Sequence, residues 1–409
     1  MVMKILCVKC KGRRFCGRLY CPIIARSEAM FRVEKMVEKD FYGSSPAPFV
    51  GHVGYPYLNV GILSPPYTAD DAWRYDAPRH WSLNDYKIPE LVDLRSSLVN
   101  SRFNVNIKQR TKFLNIAQEV GMASRPVDIE VNLKKKPKFF VNVNDMVAPM
   151  GPHAPLEKVR LTENPKVSKK VEKVVSDSDL KAADAMLYLY SDEFDENFLS
   201  RILSIGNIGL KKNRKLVPTR WSITAVDDTL GKNLISEIKN YPPSDYQAYF
   251  GGYLGNYFLF LFFSDVWSYE LFETYLPKSS WNISSEIQFS TDYEPYDGRK
   301  EYADNCGGGY YASRLPALEK LSSTRRQSSV LALRFITGEY AVPLGVWVVR
   351  EASRKALSSQ PLFFDSKESM LNYAAGFVKE KFNYDLRYIF SSSKLLENIK
   401  KQVKLSKFF

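Results

Sequence analysis

Four of the five cysteines in this chain, Cys7, Cys10, Cys16 and Cys21, are crowded into its first 21 residues. No disulfide framework is therefore distributed along the chain, and the long remainder must be held by an apolar core. The 409 residues, 45% hydrophobic and 14% aromatic, supply that core and are long for a single one, so two domains are expected. The cluster itself, Cys7-x2-Cys10-x5-Cys16-x4-Cys21, offers four soft ligands, with Gly12 and Gly17 allowing tight turns between them. Four thiolates suit tetrahedral Zn2+, and a closed four-ligand site leaves no position open for a substrate, which makes its role structural. An iron–sulfur cluster and a metal-free cysteine-rich turn are the competing readings, and zinc is favoured over both.

Charge points to the partner. Lys and Arg outnumber Asp and Glu by 58 to 45, a formal net charge of +13, which favours polyanions such as nucleic acid over a chain that is merely basic. Lys11, Arg13 and Arg14 stand among the cysteines, where a zinc knot could present them to DNA phosphates. The opening MVMKILCVKCKGRR lacks a long apolar core and a small-residue cleavage site, so it does not read as a secretory signal. The most apolar stretch, 253–263, is too short to span a bilayer and carries Asn256. A cytoplasmic protein is expected.

The pattern along the chain predicts an α+β fold of two packed mixed domains, with the small four-cysteine zinc knot in front and a flexible C-terminal peptide behind. The knot would occupy 1–23 and a loop-rich α+β domain 24–157. Residues 158–178 read as a charged linker or helix, 179–397 as a second α+β domain, and 398–409 as a docking tail. Apolar spacing predicts helices over 24–41, 179–190, 232–238, 314–320, 330–337 and 367–379. Strands are expected at 127–133, 139–143, 221–226, 257–263, 286–290 and 345–349. Residues 43–89, dense in Pro, Gly and Tyr, should be irregular with short strands.

The last eight residues form a second motif. Gln402, Leu405, Phe408 and Phe409 are spaced so that one helical turn puts Leu405 and Phe408 on one side with Phe409 beside them. A groove can take all three, while the glutamine amide donates and accepts in a polar pocket nearby. Lysines at 400, 401, 404 and 407 keep the segment solvated and favour an acidic rim. The competing reading buries the same residues in their own domain.

Two internal segments have the residue types of a nucleotide site. In PTRWSITAVDD (218–228), Arg220 is placed to clamp a phosphate and Asp227 or Asp228 to orient a ribose or a metal. In CGGGYYASR (306–314), backbone N–H groups of a glycine turn would face an anion, Tyr310 would stack on a base and Arg314 would open a helix. Neither segment is a GxGxxG or a Walker loop, and a glycine run also marks a plain tight turn. Asp145 and His153, eight residues apart across a Pro-Gly turn, are an acid and base candidate, and Glu301 is a further candidate carboxylate. A histidine in such a loop is more often a hydrogen-bonded structural residue.

The tail resembles the PCNA-interacting peptide. Together with the cysteine knot, the stretches GHVGYPYLNVGILSPP (51–66), LRSSLVNSRF (94–103), PMGPHAP (149–155), VPTRWSITAVDD (217–228) and CGGGYYASRLPALE (306–319) make the whole chain resemble the archaeal Nre family of DNA-repair proteins. The resemblance implies repair of DNA damage together with the sliding clamp PCNA. It makes Gln402, Leu405, Phe408 and Phe409 the clamp contacts and the four early cysteines the zinc ligands. The expected function is thus a clamp-recruited repair protein that binds DNA or a nucleotide-like feature of it. The alternative is an enzyme that removes or transfers an adenylate or ADP-ribosyl group at damaged ends.

Overall fold

The computed structural model describes residues 12–13, 21–137, 150–277, 279, 281–282 and 284–401. These residues form an α+β protein with two mixed six-stranded sheets. Its compact units divide between Leu230 and Gly231: one holds the described residues up to Leu230 with Val342–Leu344, the other Gly231–Ala341 and the described residues from Gly345. The expected strand at 139–143 lies outside the described residues.

In the first unit, Pro22 opens the helix Pro22–Met36, where proline's missing N–H costs nothing, and Ala29, Met30, Val33 and Val37 are buried at helical spacing. The chain then enters β1 (Asp40–Ser45), β2 (Ala47–Val50) and β3 (Tyr57–Ser64). The segment expected to be irregular with short strands does hold strands, and with the start of β1 they make up half a sheet. Its proline and glycine residues punctuate strands that alternate in burial near the start of β3. With β4 (Val99–Asn106), β5 (Val127–Leu133) and β6 (His153–Leu161), the sheet order is β1-β5-β6-β4-β3-β2. Strand β5 matches its expected bounds because its inward residues alternate strictly with half-exposed ones. Val60, Ile62, Phe103, Ile129 and Val131 share one apolar cluster with Leu114, Ile116 and Ala117 of the helix Lys112–Met122. Each such large side chain withdrawn from water contributes about 1.5–3 kcal/mol.

The charged stretch 158–178 holds the end of β6 and the helix Lys169–Ser176, capped by the Ser168 hydroxyl. That helix buries Val171 and Val174 and turns its lysines to solvent, so the charge is a solvated face.

The second unit orders its strands β10-β9-β11-β8-β7-β12, with β7 (Tyr246–Tyr253), β8 (Asn256–Phe263), β9 (Ser268–Tyr275), β10 (Gln288–Glu294), β11 (Ser329–Ile336) and β12 (Leu362–Phe364). Residues 330–337, expected as a helix, are instead the buried central strand β11, parallel to β9 and antiparallel to β8. Burial on both faces removes the alternation that marks a strand. Two strand expectations are also corrected. Residues 221–226 lie in the helix Thr219–Ile238, where Val226, Leu230, Leu234 and Ile238 recur four apart, and 345–349 run into the helix Trp347–Leu357. The helices Ala182–Ser191, Gly308–Thr324 and Lys367–Phe382 fall where apolar spacing put them. Among the described residues no helix is long and apolar enough to cross a membrane.

Glu270 of β9 fixes the start of the last described helix, Lys394–Lys401. Its buried carboxylate accepts from the backbone N–H groups of Lys394 (3.1 Å) and Leu395 (3.0 Å) and from the Ser393 hydroxyl. Burial raises the carboxyl's pKa, and these hydrogen bonds oppose the rise. Glu270→Ala should cost about 1–3 kcal/mol and speed limited proteolysis beyond residue 393, whereas Glu270→Gln keeps an accepting oxygen and most of the protection. Unchanged cleavage in the alanine variant would mean that Leu395 and Leu396 hold the helix unaided.

Candidate functional site

Strands β4 and β6 run parallel, but pair only at Asn100 with His153, Ser101 with Ala154 and Arg102 with Pro155. Beyond that point each keeps its other neighbour, β3 or β5, and the two separate. The β5–β6 register shifts between Asn132 and Leu133, and the Lys134 backbone N–H donates to the Pro155 carbonyl at 2.9 Å. A groove of about 830 Å³ opens at the divergence, within the usual range of ligand sites. Arg102, His153 and Lys134 line it, with Asn59 and Asn104 at the rim, where the Asn104 amide donates to Asn59 at 3.4 Å.

The helix Lys112–Met122 begins in this groove, which Thr111, Lys112 and Phe113 also line. Thr111 caps it by accepting from the Leu114 backbone N–H at 3.2 Å. A helix start carries N–H groups without intrahelical partners and the positive end of the dipole, so it favours an anion. Three cations, Arg102, Lys112 and Lys134, add to this, and the described lining residues include no carboxylate. Burial lowers the Arg102 pKa, yet a guanidinium stays charged at neutral pH. Beside Arg102, Asn100 is 1% exposed, and neither polar atom of its amide has a hydrogen-bond partner among the described residues. Its side chain lies against Gly61, where an added Cβ would sit 1.8 Å from Asn100 Oδ1, so the packing requires glycine.

The stretches 51–66, 94–103 and 149–155 meet here through Asn59, Arg102 and His153. Of these, only His153 was singled out from the sequence as a site residue. Its proposed acid, Asp145, lies outside the described residues. Arg102 and Asn59 lie in the stretches 94–103 and 51–66, where residue type alone assigns them no role, and Lys112 and Lys134 do not stand out among the chain's many lysines.

The other expected sites are placed differently. Arg220 is exposed on the first turn of the helix Thr219–Ile238, while Asp227 is fully buried in the same helix, so the two do not flank a strand. Glu301 is exposed. Tyr310 and Arg314 are fully buried, and Arg314 Nη1 pairs with Glu294 Oε2 at 2.7 Å while its guanidinium sits over the Tyr310 and Tyr311 rings. A Cβ on Gly309 would lie 2.5 Å from Glu273 Oε1, itself paired with Arg334. Gly309, in the first turn of the helix Gly308–Thr324, thus makes room for the buried Glu273–Arg334 pair of the second unit. Of the cysteine knot, Cys21 is buried at the start of the helix Pro22–Met36 and Arg13 is exposed; Cys7, Cys10, Cys16, Lys11 and Arg14 lie outside the described residues, as do Gln402, Leu405, Phe408 and Phe409.

The fold and groove define an α+β protein with a cationic cleft at a parallel strand pair. Family models described as "Archaeal Nre, N-terminal" and "Archaeal Nre, C-terminal" match residues 15–282 and 294–408. The chain is 38% identical over 391 residues to the DNA repair protein NreA of Archaeoglobus fulgidus, covering 93% of this chain and 95% of that one. It is 37% identical over 369 residues to NreB of the same organism, covering 90% and 92%, and 37% identical over 340 residues to NreA of Haloferax volcanii, covering 80% and 81%. No solved structure matches. The chain belongs to the archaeal Nre family.

Proposed function

We propose that this chain is a DNA-repair protein that binds DNA, or a nucleotide-like feature of it, in the groove between β4 and β6. The observation that carries the reading is the gathering of Arg102, Lys112 and Lys134 around a helix start. That the relatives are DNA repair proteins supports the process. Clamp recruitment through Gln402, Leu405, Phe408 and Phe409, and Zn2+ held by Cys7, Cys10, Cys16 and Cys21, complete the proposal on their residue patterns. Buried Cys21 fits a ligand shielded from water.

Arg102→Ala removes one charge-assisted phosphate contact and should weaken binding of a fluorescein-labelled 5′-phosphorylated oligonucleotide by roughly 10- to 100-fold. Equal anisotropy titrations for variant and wild type would take the groove out of DNA binding.

A second reading is favoured by His153, which lies in the groove wall near Arg102. An imidazole there would serve proton transfer in an enzyme that removes or transfers an adenylate or ADP-ribosyl group at a DNA end. Release of the group from a 5′-adenylated or ADP-ribosylated oligonucleotide, lost in His153→Asn, would establish the enzyme. No turnover on either substrate would leave a binding protein.

A further inference from the structure

A second surface of the first unit gathers chain segments far apart in sequence. The turn between β2 and β3 exposes Val53 (73%) and Tyr55 (48%), the first residue of β3 exposes Tyr57 (57%), and the helix Thr219–Ile238 sets Trp221 (48% exposed) beside them, its ring centroid 5.9 Å from that of Tyr55. The juxtaposition is tied down by backbone. The Val50 N–H donates to Thr219 Oγ1 at 2.9 Å, the Ile107 N–H to the Pro56 carbonyl at 3.0 Å, and the Leu216 N–H to the Ile107 carbonyl at 2.9 Å. Large exposed aromatics held on a fixed frame are unusual on a surface that has no partner.

The setting is cationic. Residues 50–57, 106–110 and 214–221 contain no Asp or Glu. Lys108, Arg110, Lys215 and Arg220 are exposed, and the first three, together with the exposed Glu119, line a groove of about 370 Å³, so cations outnumber the carboxylate there. Arg214 is already committed, donating to the carbonyls of Gly209, Val175 and Asp177, so it anchors the groove floor.

We infer that the Tyr55–Trp221 ledge and its flanking cations bind an unpaired DNA strand, with bases stacked on the rings and phosphates on Lys108, Arg110, Lys215 and Arg220. This rests on the DNA-binding reading above and adds to it the strandedness of the substrate. Ring faces are open only to bases free of a duplex stack, while cations serve any phosphate, so the combination selects single strands. The two rings are tilted by 47°, and at 5.9 Å they stand closer than the about 7 Å needed to sandwich a base at twice the 3.4 Å stacking distance. They therefore act as one ledge, with a base on an outer face. The excess of cations over the one lining carboxylate, Glu119, disfavours a basic protein partner, and the aromatic tips disfavour a purely electrostatic contact.

The test is anisotropy of the full chain with fluorescein-labelled oligo-dT and with a matched blunt duplex, as a function of salt. Tyr55→Ala with Trp221→Ala should weaken oligo-dT binding about 10- to 100-fold and change duplex binding less than about 2-fold, since stacking is worth about 1–3 kcal/mol per base. Tyr55→Phe with Trp221→Phe keeps the ring faces and should restore most of the affinity, which a folding defect would not allow. Arg220→Ala should lower the salt slope for oligo-dT by about 0.7. Unchanged oligo-dT binding in the double alanine variant, or equal losses on both substrates, would overturn the inference while leaving DNA binding in place. A wild-type chain that binds neither substrate would overturn the DNA-binding reading with it.

Discussion

Arg314→Leu is expected to destabilise the second unit by about 3–5 kcal/mol, because it strands the Glu294 carboxylate where neither side chain reaches solvent. In thermal denaturation this is a drop of roughly 10 °C for a unit of this size. Arg314→Leu with Glu294→Leu should recover most of the loss, since an apolar pair of similar volume often replaces a buried ion pair at little cost. At temperatures where the single variant is still folded, its DNA affinity should match wild type. A normal melting temperature with lost DNA binding would instead return Arg314 to the phosphate role suggested by its place after a glycine run.

The other large effect is expected at the tail. Phe408→Ala with Phe409→Ala should remove capture of the chain by PCNA: two aromatic anchors at about 2 kcal/mol each amount to roughly a thousandfold in affinity. Circular dichroism and thermal stability should be unaffected, because a docking peptide holds nothing in its own domain. Retained capture, or a loss of stability in the same variant, would make Leu405, Phe408 and Phe409 core residues.

What could be read beforehand followed the physics of periodicity. The strand Val127–Leu133 and the helix Lys367–Phe382 each present one face to a core, so apolar residues recur at two or at three and four. Strand β11 is buried on both sides, and SVLALRFI has no polar face to betray its period. Residues 221–226 misled because Trp, Ile, Thr and Val favour strands locally, whereas the repeat that decides the matter, Val226 to Ile238, extends well beyond that window. The groove was legible only in part. His153 carries chemistry by its type, and the Thr111 cap before the apolar spacing of 113–120 marks the helix start that carries Lys112, but Lys134 reaches the site through a register shift that no local pattern encodes. The glycine turn at 306–309 was read as a ligand cradle because a close backbone approach looks the same whether the neighbour is a phosphate or the protein's own Glu273.

The parting of β4 from β6 after three paired residues also bears on how such a protein can change its ligand. A cleft hollowed out by small side chains closes when one of them grows. A cleft left by an unfinished ladder has its width written in main-chain pairing, which substitution at the lining does not touch. Exchanging Asn59, Asn104 or His153 would therefore change the chemistry of the lining while the opening itself persists, so the shape of the place and the character of its walls can vary independently.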